Sequence, residues 1–179
     1  MTPQTILDFW YQELEPKQWF IKDETLDHTI EARFGDLHRK ASLNELAFWR
    51  GSPEGRLAEI IVLDQFSRNL HRDTPTAFSQ DAQALALAQE ALQQSADQSL
   101  TSMQRCFMYM PFMHSESKKI HETAERLFKE LGEKPFYDSE LRHKAIIDRF
   151  RRYPHRNEIL GRASTEEELA FLKEPNSSF

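Results

Sequence analysis

Helix-capping signals recur at short intervals along this chain and constrain its fold more than any other feature. Thr2-Pro3, Ser52-Pro53 and Thr74-Pro75 each place a capping residue before a proline that suits the first helical position. Ser164-Thr-Glu-Glu167 fits a capping box, and Gly132 fits a C-terminal cap. Between these signals apolar residues recur at helical spacing, and no segment is a credible strand. The pattern predicts an all-α chain.

The signals divide the chain into about nine helices, mostly with short connections. Pro111 is expected to kink or break one of them. Neither a linker nor a change in composition interrupts the 179 residues, so we predict one all-helical domain over residues 1–179. The predicted helices cover residues 2–13, 23–40, 44–49, 52–70, 77–94, 101–111, 137–152 and 164–171. After the expected kink or break at Pro111, a further helix continues to residue 131.

Composition excludes several classes of protein. Mean hydropathy is low, at -0.68, but 13 Phe, 4 Tyr and 3 Trp are far too many aromatic residues for a disordered chain. The net charge of -6 provides no global basic field for nucleic acid. The single cysteine, Cys106, excludes an internal disulfide framework. Since no apolar stretch approaches the roughly 20 residues of a membrane span and no signal peptide is visible, we expect a cytoplasmic protein without membrane or nucleic-acid partners.

A pair of charged residues interrupts the most apolar of the predicted helices. Asp64 and Arg68 continue the face that Leu57 and Ile60 begin, with Asn69 beside them. Their i,i+4 spacing allows an ion pair, which a buried carboxylate requires. Two interpretations stay open. The pair is either a structural link that fixes helix packing or the polar base of a ligand pocket.

The histidines do not form a metal motif. His114 and His121 are seven residues apart, about 10 Å along one helix, which is too far for a shared ion unless the helix breaks between them. The HExxH-like string that starts at His121 fails because residue 125 is Glu. Glu140-Leu-Arg-His143 supplies only one of the two ExxH pairs of a di-iron bundle. No P-loop, dinucleotide turn or kinase motif is present, so we predict neither metal nor cofactor.

Basic residues are concentrated between residues 142 and 162, where seven Lys or Arg face only two acidic residues. One interpretation is a solvated face that pairs with the acidic run 166–168. The other is an anion site, because arginine forks match the geometry of carboxylate and phosphate groups.

Several strings along the chain carry a family resemblance. They are Phe9-Trp10, Gln18-Trp-Phe20, Leu63-Asp-Gln-Phe-Ser-Arg-Asn69, Tyr109-Met-Pro-Phe-Met-His-Ser-Glu116, Arg149-Phe-Arg-Arg-Tyr-Pro-His-Arg-Asn157, Ile159-Leu-Gly-Arg162, Ser164-Thr-Glu-Glu167 and Pro175-Asn-Ser-Ser-Phe179. In order and over nearly the whole chain, these strings resemble the family known as domain of unknown function 924. The resemblance implies a tetratricopeptide-like array of antiparallel helices that is found widely in bacteria, and it carries over no activity and no catalytic residue. Ser67 stands where the family string commonly has proline, which favours a continuous helix here.

The polar residues of these strings provide the hypothesis about function. We expect a binding module that holds an anionic small molecule or a peptide in a concave groove lined by arginine and histidine. The alternative is a metal-independent hydrolase or lyase for a small acidic substrate, with His114 or His155 as general base. A third interpretation is oligomerisation, with these groups pairing only among themselves. The expected ligand-binding residues are Asp64, Arg68, Asn69, His114, Glu116, Arg149, His155, Arg156 and Asn157.

Overall fold

The computed structural model describes residues 1–178 and is all-helical over that range, without a strand. Short 3-10 turns and two π-helical turns, Phe9–Glu13 and Val62–Phe66, complete it. The all-α prediction is confirmed, whereas the tetratricopeptide-like arrangement stays a prediction. Phe179, the last residue of the terminal string, lies outside the described residues. The α-helices are α1 (Pro3–Asp8), α2 (Glu24–Ser42), α3 (Pro53–Ile61), α4 (Ser67–Leu70), α5 (Asp81–Gln93), α6 (Ser102–Met113), α7 (Lys118–Leu131), α8 (Lys134–Phe150) and α9 (Glu166–Phe171).

Thr2, Ser52, Thr101 and Thr165 each accept a hydrogen bond from a backbone N–H in the first turn of α1, α3, α6 and α9. The first three start their helices as the sequence predicts. The capping box of α9 lies one residue later than predicted, because Thr165 and Glu168 form it in place of Ser164 and Glu167. Gly132 ends α7 in the left-handed region, with φ of 80°. These local bonds satisfy backbone donors and acceptors that a helix cannot pair by itself.

The structure differs from the sequence prediction in the bounds or the type of three helices. The proline after Thr74 begins a 3-10 turn, Pro75–Phe78, and α5 begins only at Asp81. The segment predicted over 44–49 is a 3-10 turn at Ala47–Gly51. Pro111 does not end α6 at its own position. Because it lies in the last turn, its missing N–H removes a single bond, and α6 continues to Met113.

The main core surrounds α3, which packs against α1, α5 and α6. Leu57, Ile60 and Ile61 of α3 are completely buried there. Helix α7 packs between α6 and α8, and because its connections are short, neighbours in this series run antiparallel. A smaller cluster near the carboxyl end contains Tyr153 and Phe171. No helix within residues 1–178 has the combined length and apolarity to cross a membrane.

Candidate functional site

Five charged or titratable side chains from five different elements meet at one place, which we call the arginine cluster. Its members are Asp64, Arg68, Asp81, His114 and Arg156. They come from the π-helical turn Val62–Phe66, α4, the first residue of α5, the end of α6 and the 3-10 turn Pro154–Arg156. Since π-helical turns are rare and concentrate at functional sites, the position of Asp64 in one is notable.

Asp64 links the cluster to the main core. Only 1% of its side chain is exposed, and its Oδ1 lies 2.8 Å from His114 Nδ1 and 3.3 Å from Arg68 Nη1. Its Oδ2 accepts a hydrogen bond of 2.6 Å from Gln65. Burial alone would raise the pKa of Asp64, but Arg68 and His114 hold it well below its usual range. The group is therefore a buried carboxylate anion.

A single carboxylate serves two arginines at the centre of the cluster. Arg68 donates to both oxygens of Asp81, at 3.0 and 3.2 Å, and also to the backbone oxygen of Asp64 at 2.6 Å. Arg156 donates from Nη1 to Asp81 Oδ2 at 3.1 Å. The two guanidinium groups together hold more donors than one aspartate can accept from.

The guanidinium of Arg156 is unusually enclosed. Its side chain is 7% exposed, and its Cζ lies 4.4 Å from the ring centre of Phe78 and 4.7 Å from that of Tyr153. Its Nε is buried, and nothing in the described part of the chain, residues 1–178, accepts a hydrogen bond from it. Burial and the neighbouring Arg68 lower the pKa of Arg156. Leaving such a donor unpaired costs free energy, so this atom marks a place where an acceptor would be stabilising.

His114 is held in one tautomer. Because Asp64 is ionised, Nδ1 of His114 carries the proton that is shared with it, and Nε2 keeps a lone pair. Burial and Arg68 lower the pKa of His114, and Asp64 offsets this only in part. The ring is 15% exposed at the edge of the cluster. A neutral imidazole oriented by a carboxylate is the arrangement that a general base requires.

A second set of bonds fixes the loop that carries Arg156. Arg162 forms a bidentate pair with Glu116, at 2.6 and 2.9 Å, and Glu116 also accepts from the backbone N–H of Tyr153. Asn157 accepts from Arg162 Nε at 3.0 Å. Burial opposes ionisation of Glu116, but Arg162 lowers its pKa below the usual value. Glu116 and Asn157 thus position the loop.

Beneath the cluster lies a buried pair from α7 and α8. His121 Nδ1 is 2.8 Å from Glu140 Oε1, and both side chains are inaccessible to solvent. His121 Nε2 donates to the backbone oxygen of Ser115 and lies 3.1 Å from the hydroxyl of Tyr153. Burial raises the pKa of Glu140. Tyr153 therefore contacts both this pair and Arg156.

The structure brings most of the expected site residues together. Asp64, Arg68, His114 and Arg156 form the arginine cluster, and Glu116 and Asn157 adjoin it. His155 lies next to it, with its ring centre 5.6 Å from that of Tyr153.

Two of the expected residues lie outside the arginine cluster. Asn69 donates to Asp27 of α2, because consecutive helical residues point in different directions. Arg149 is exposed and pairs with Glu167, as the solvated-face interpretation of the basic segment predicts.

Sequence reasoning missed Phe78 and Asp81. Asp81 has the appearance of an ordinary acidic residue in the first turn of an alanine-rich helix. It is 75 residues from Arg156 and 13 from Arg68, so no spacing along the chain predicts their contact.

Two surface cavities lie away from the cluster. One, of about 330 Å³, is lined by Met1, Phe48 and Trp49 among others. The second, of about 290 Å³, lies between α2 and α4 and includes Asn69. Within residues 1–178 no group of three His, Cys, Asp or Glu side chains could hold a metal ion. Within the arginine cluster itself, the side chains of Arg68, Asp81 and His114 are the more exposed, at 21%, 19% and 15%.

Comparisons with known proteins bear on the family and the fold of the chain. The family described as "Bacterial protein of unknown function (DUF924)" matches residues 6–176. The solved structure of a protein of unknown function from Agrobacterium tumefaciens is 37% identical, with a TM-score of 0.91 over 96% of each chain. No curated protein matches the sequence. The family resemblance seen in the sequence is confirmed.

Proposed function

The chain belongs to the DUF924 family of bacterial proteins of unknown function, and we propose that it binds a small anionic molecule at the arginine cluster. One observation carries the proposal. Arg68 and Arg156 share the carboxylate of Asp81, while no group within residues 1–178 accepts a hydrogen bond from the buried Nε of Arg156. An incoming anion supplies the acceptors that the site lacks.

The enclosure of the cluster favours a small molecule over a peptide. Arg68, Asp81 and His114 are each largely covered, so only a compact group can reach the guanidinium of Arg156. Its packing against Phe78 and Tyr153 restricts the orientation of the fork, which lowers the entropy cost of binding. The proposed compartment is the cytoplasm, which suits the single buried thiol of Cys106.

The test is binding of three probes, acetate, succinate and inorganic phosphate, by titration calorimetry and thermal unfolding. An anion at 100 times its Kd adds about 2.7 kcal/mol to stability. We expect Arg156→Gln to weaken binding of the preferred probe at least about tenfold, the equivalent of one charge-assisted bond. Arg149→Gln is the matched control, because Arg149 is exposed and pairs with Glu167. Equal affinity in the wild type and Arg156→Gln would refute the proposal.

A second candidate is a metal-independent hydrolase or lyase for a small acidic substrate. The observation that favours it is the 2.8 Å contact between buried Asp64 and His114, which leaves Nε2 of His114 as an available base. Under this proposal the arginines hold the substrate and His114 accepts its proton. A bound compound should then be consumed by the wild type, followed by NMR, and remain intact with His114→Gln. If the wild type binds it without consuming it, binding is the function.

A further inference from the structure

We infer that Asp81 is a built-in competitor for the arginine cluster, and that the ligand binds through a carboxylate that replaces the Asp81 side chain between Arg68 and Arg156. The inference rests on the proposed function and names its ligand class, a carboxylic acid. It also adds a regulatory feature, since the empty site is closed by the protein's own carboxylate.

The geometry around Asp81 is that of a carboxylate-binding site. Arg68 donates one bond to each Asp81 oxygen, at 3.0 and 3.2 Å, and Arg156 donates a third at 3.1 Å. Arg68 thus holds both oxygens of a planar acceptor with its two Nη atoms, and Arg156 adds a single bond from Nη1. A tetrahedral phosphate would need partners for its further oxygens.

Charge balance favours replacement over addition. The cluster contains two arginines and the two carboxylates of Asp64 and Asp81, with His114 neutral. A second anion beside Asp81 would place like charges together in a buried site, which is costly. An anion that replaces Asp81 leaves the buried charge unchanged. Because it is not tethered to α5, it can also accept a bond from the unpartnered Nε of Arg156.

Asp81 is the member of the cluster that can leave. Its side chain is 19% exposed, and it is the first residue of α5. The preceding residue, Gln80, makes no side-chain capping bond, so the start of α5 is held weakly. The arginines are held more firmly. Arg68 also donates to the backbone of Asp64, and Arg156 packs against two rings.

The first experiment compares acetate, succinate and phosphate binding to the wild type, Asp81→Ala and Asp81→Asn by calorimetry in chloride buffer. A ligand can bind only those wild-type molecules in which Asp81 has left the site. The apparent affinity of the wild type is therefore the intrinsic affinity multiplied by the fraction of such molecules. We therefore expect Asp81→Ala to bind a carboxylate probe at least about tenfold more tightly than the wild type. Asp148→Asn is the control for charge, because Asp148 is an exposed partner of Lys144. Asp81→Asn retains the side-chain shape if Asp81→Ala fails to fold.

The outcomes separate this inference from the proposed function. Equal carboxylate affinity in the wild type and both Asp81 variants would overturn the inference and leave anion binding intact. Tightest binding of phosphate in every protein would overturn the ligand class. Absence of binding in all of them would overturn the proposed function itself.

A second readout uses the wild type alone. If the ligand displaces Asp81, succinate should speed amide hydrogen exchange at Ala84, whose N–H in the first turn of α5 donates to the backbone oxygen of Gln80, while slowing exchange in the rest of the protein. Simple addition of the anion beside Asp81 would slow exchange in that turn as well, and this result would refute displacement.

Discussion

Asp64 illustrates what a single residue's sequence context can and cannot predict. The i,i+4 spacing correctly predicts that Arg68 lies near it, but the shorter contact, 2.8 Å, is made by His114 from another helix. That partner is 50 residues away, so spacing along one helix does not reveal it. The need for a partner could be predicted from the cost of burying a charge, whereas the partner's identity depends on tertiary packing.

The buried position of Asp64 leads to a stability prediction. Asp64→Asn removes the anion that faces Arg68 and His114, so we expect a loss of about 3 kcal/mol in the free energy of unfolding. Urea unfolding at pH 7 measures it. Asp36→Asn is the matched control, because Asp36 is exposed with Arg39 and Lys40 as partners, and its effect should stay within about 0.5 kcal/mol. Equal losses in the two variants would contradict a buried, charged Asp64.

At the scale of elements, local signals predict the starts of helices better than their type. Thr2, Ser52 and Thr101 begin α-helices because their hydroxyl groups cap the first turn. Thr74 makes no such bond, and its proline begins a 3-10 turn instead. The π-helical turn at Val62–Phe66 has no sequence signature, although all five of its residues are buried.

The contact between α3 and the 3-10 turn Ala47–Gly51 can be tested with two glycines in helices. A Cβ atom at Gly55 would lie 1.9 Å from the backbone oxygen of Trp49, whereas one at Gly35 in α2 would meet nothing within 4 Å. We expect Gly55→Ala to destabilise the protein by at least about 2 kcal/mol through overpacking. Gly35→Ala should stabilise it by about 0.5–1 kcal/mol.

Thermal unfolding of both variants checks this pair of predictions. For a chain of this length each kcal/mol corresponds to about 2–4 °C in Tm. Both substitutions replace a glycine inside an α-helix with alanine. We nevertheless expect Tm to fall for Gly55→Ala and to rise for Gly35→Ala. A stable Gly55→Ala protein would mean that α3 does not approach Trp49 closely.

At the scale of the whole molecule, buried histidines connect stability to pH. Burial lowers the pKa of His38 to about 4, that of His143 to about 3 and that of His155 to about 4. Composition alone does not reveal this, because the seven histidines include exposed ones such as His28. The fold class was predictable from local patterns, but the burial of these rings follows from how distant helices pack.

These lowered pKa values predict a loss of stability in mild acid. Above about pH 7.5 these three histidines are almost entirely neutral in both the folded and the unfolded chain, because the ordinary pKa of histidine is about 6.5. As pH falls through about 6.5 towards 4, they gain protons mainly in the unfolded chain. Each histidine should then reduce the free energy of unfolding by about 1.4 kcal/mol per pH unit. Urea unfolding between pH 7 and pH 4.5 measures the slope, and His38→Gln should reduce it. His28→Gln, at an exposed position, is the control. Constant stability between pH 6.5 and 4.5 would show that these rings accept protons in the folded protein.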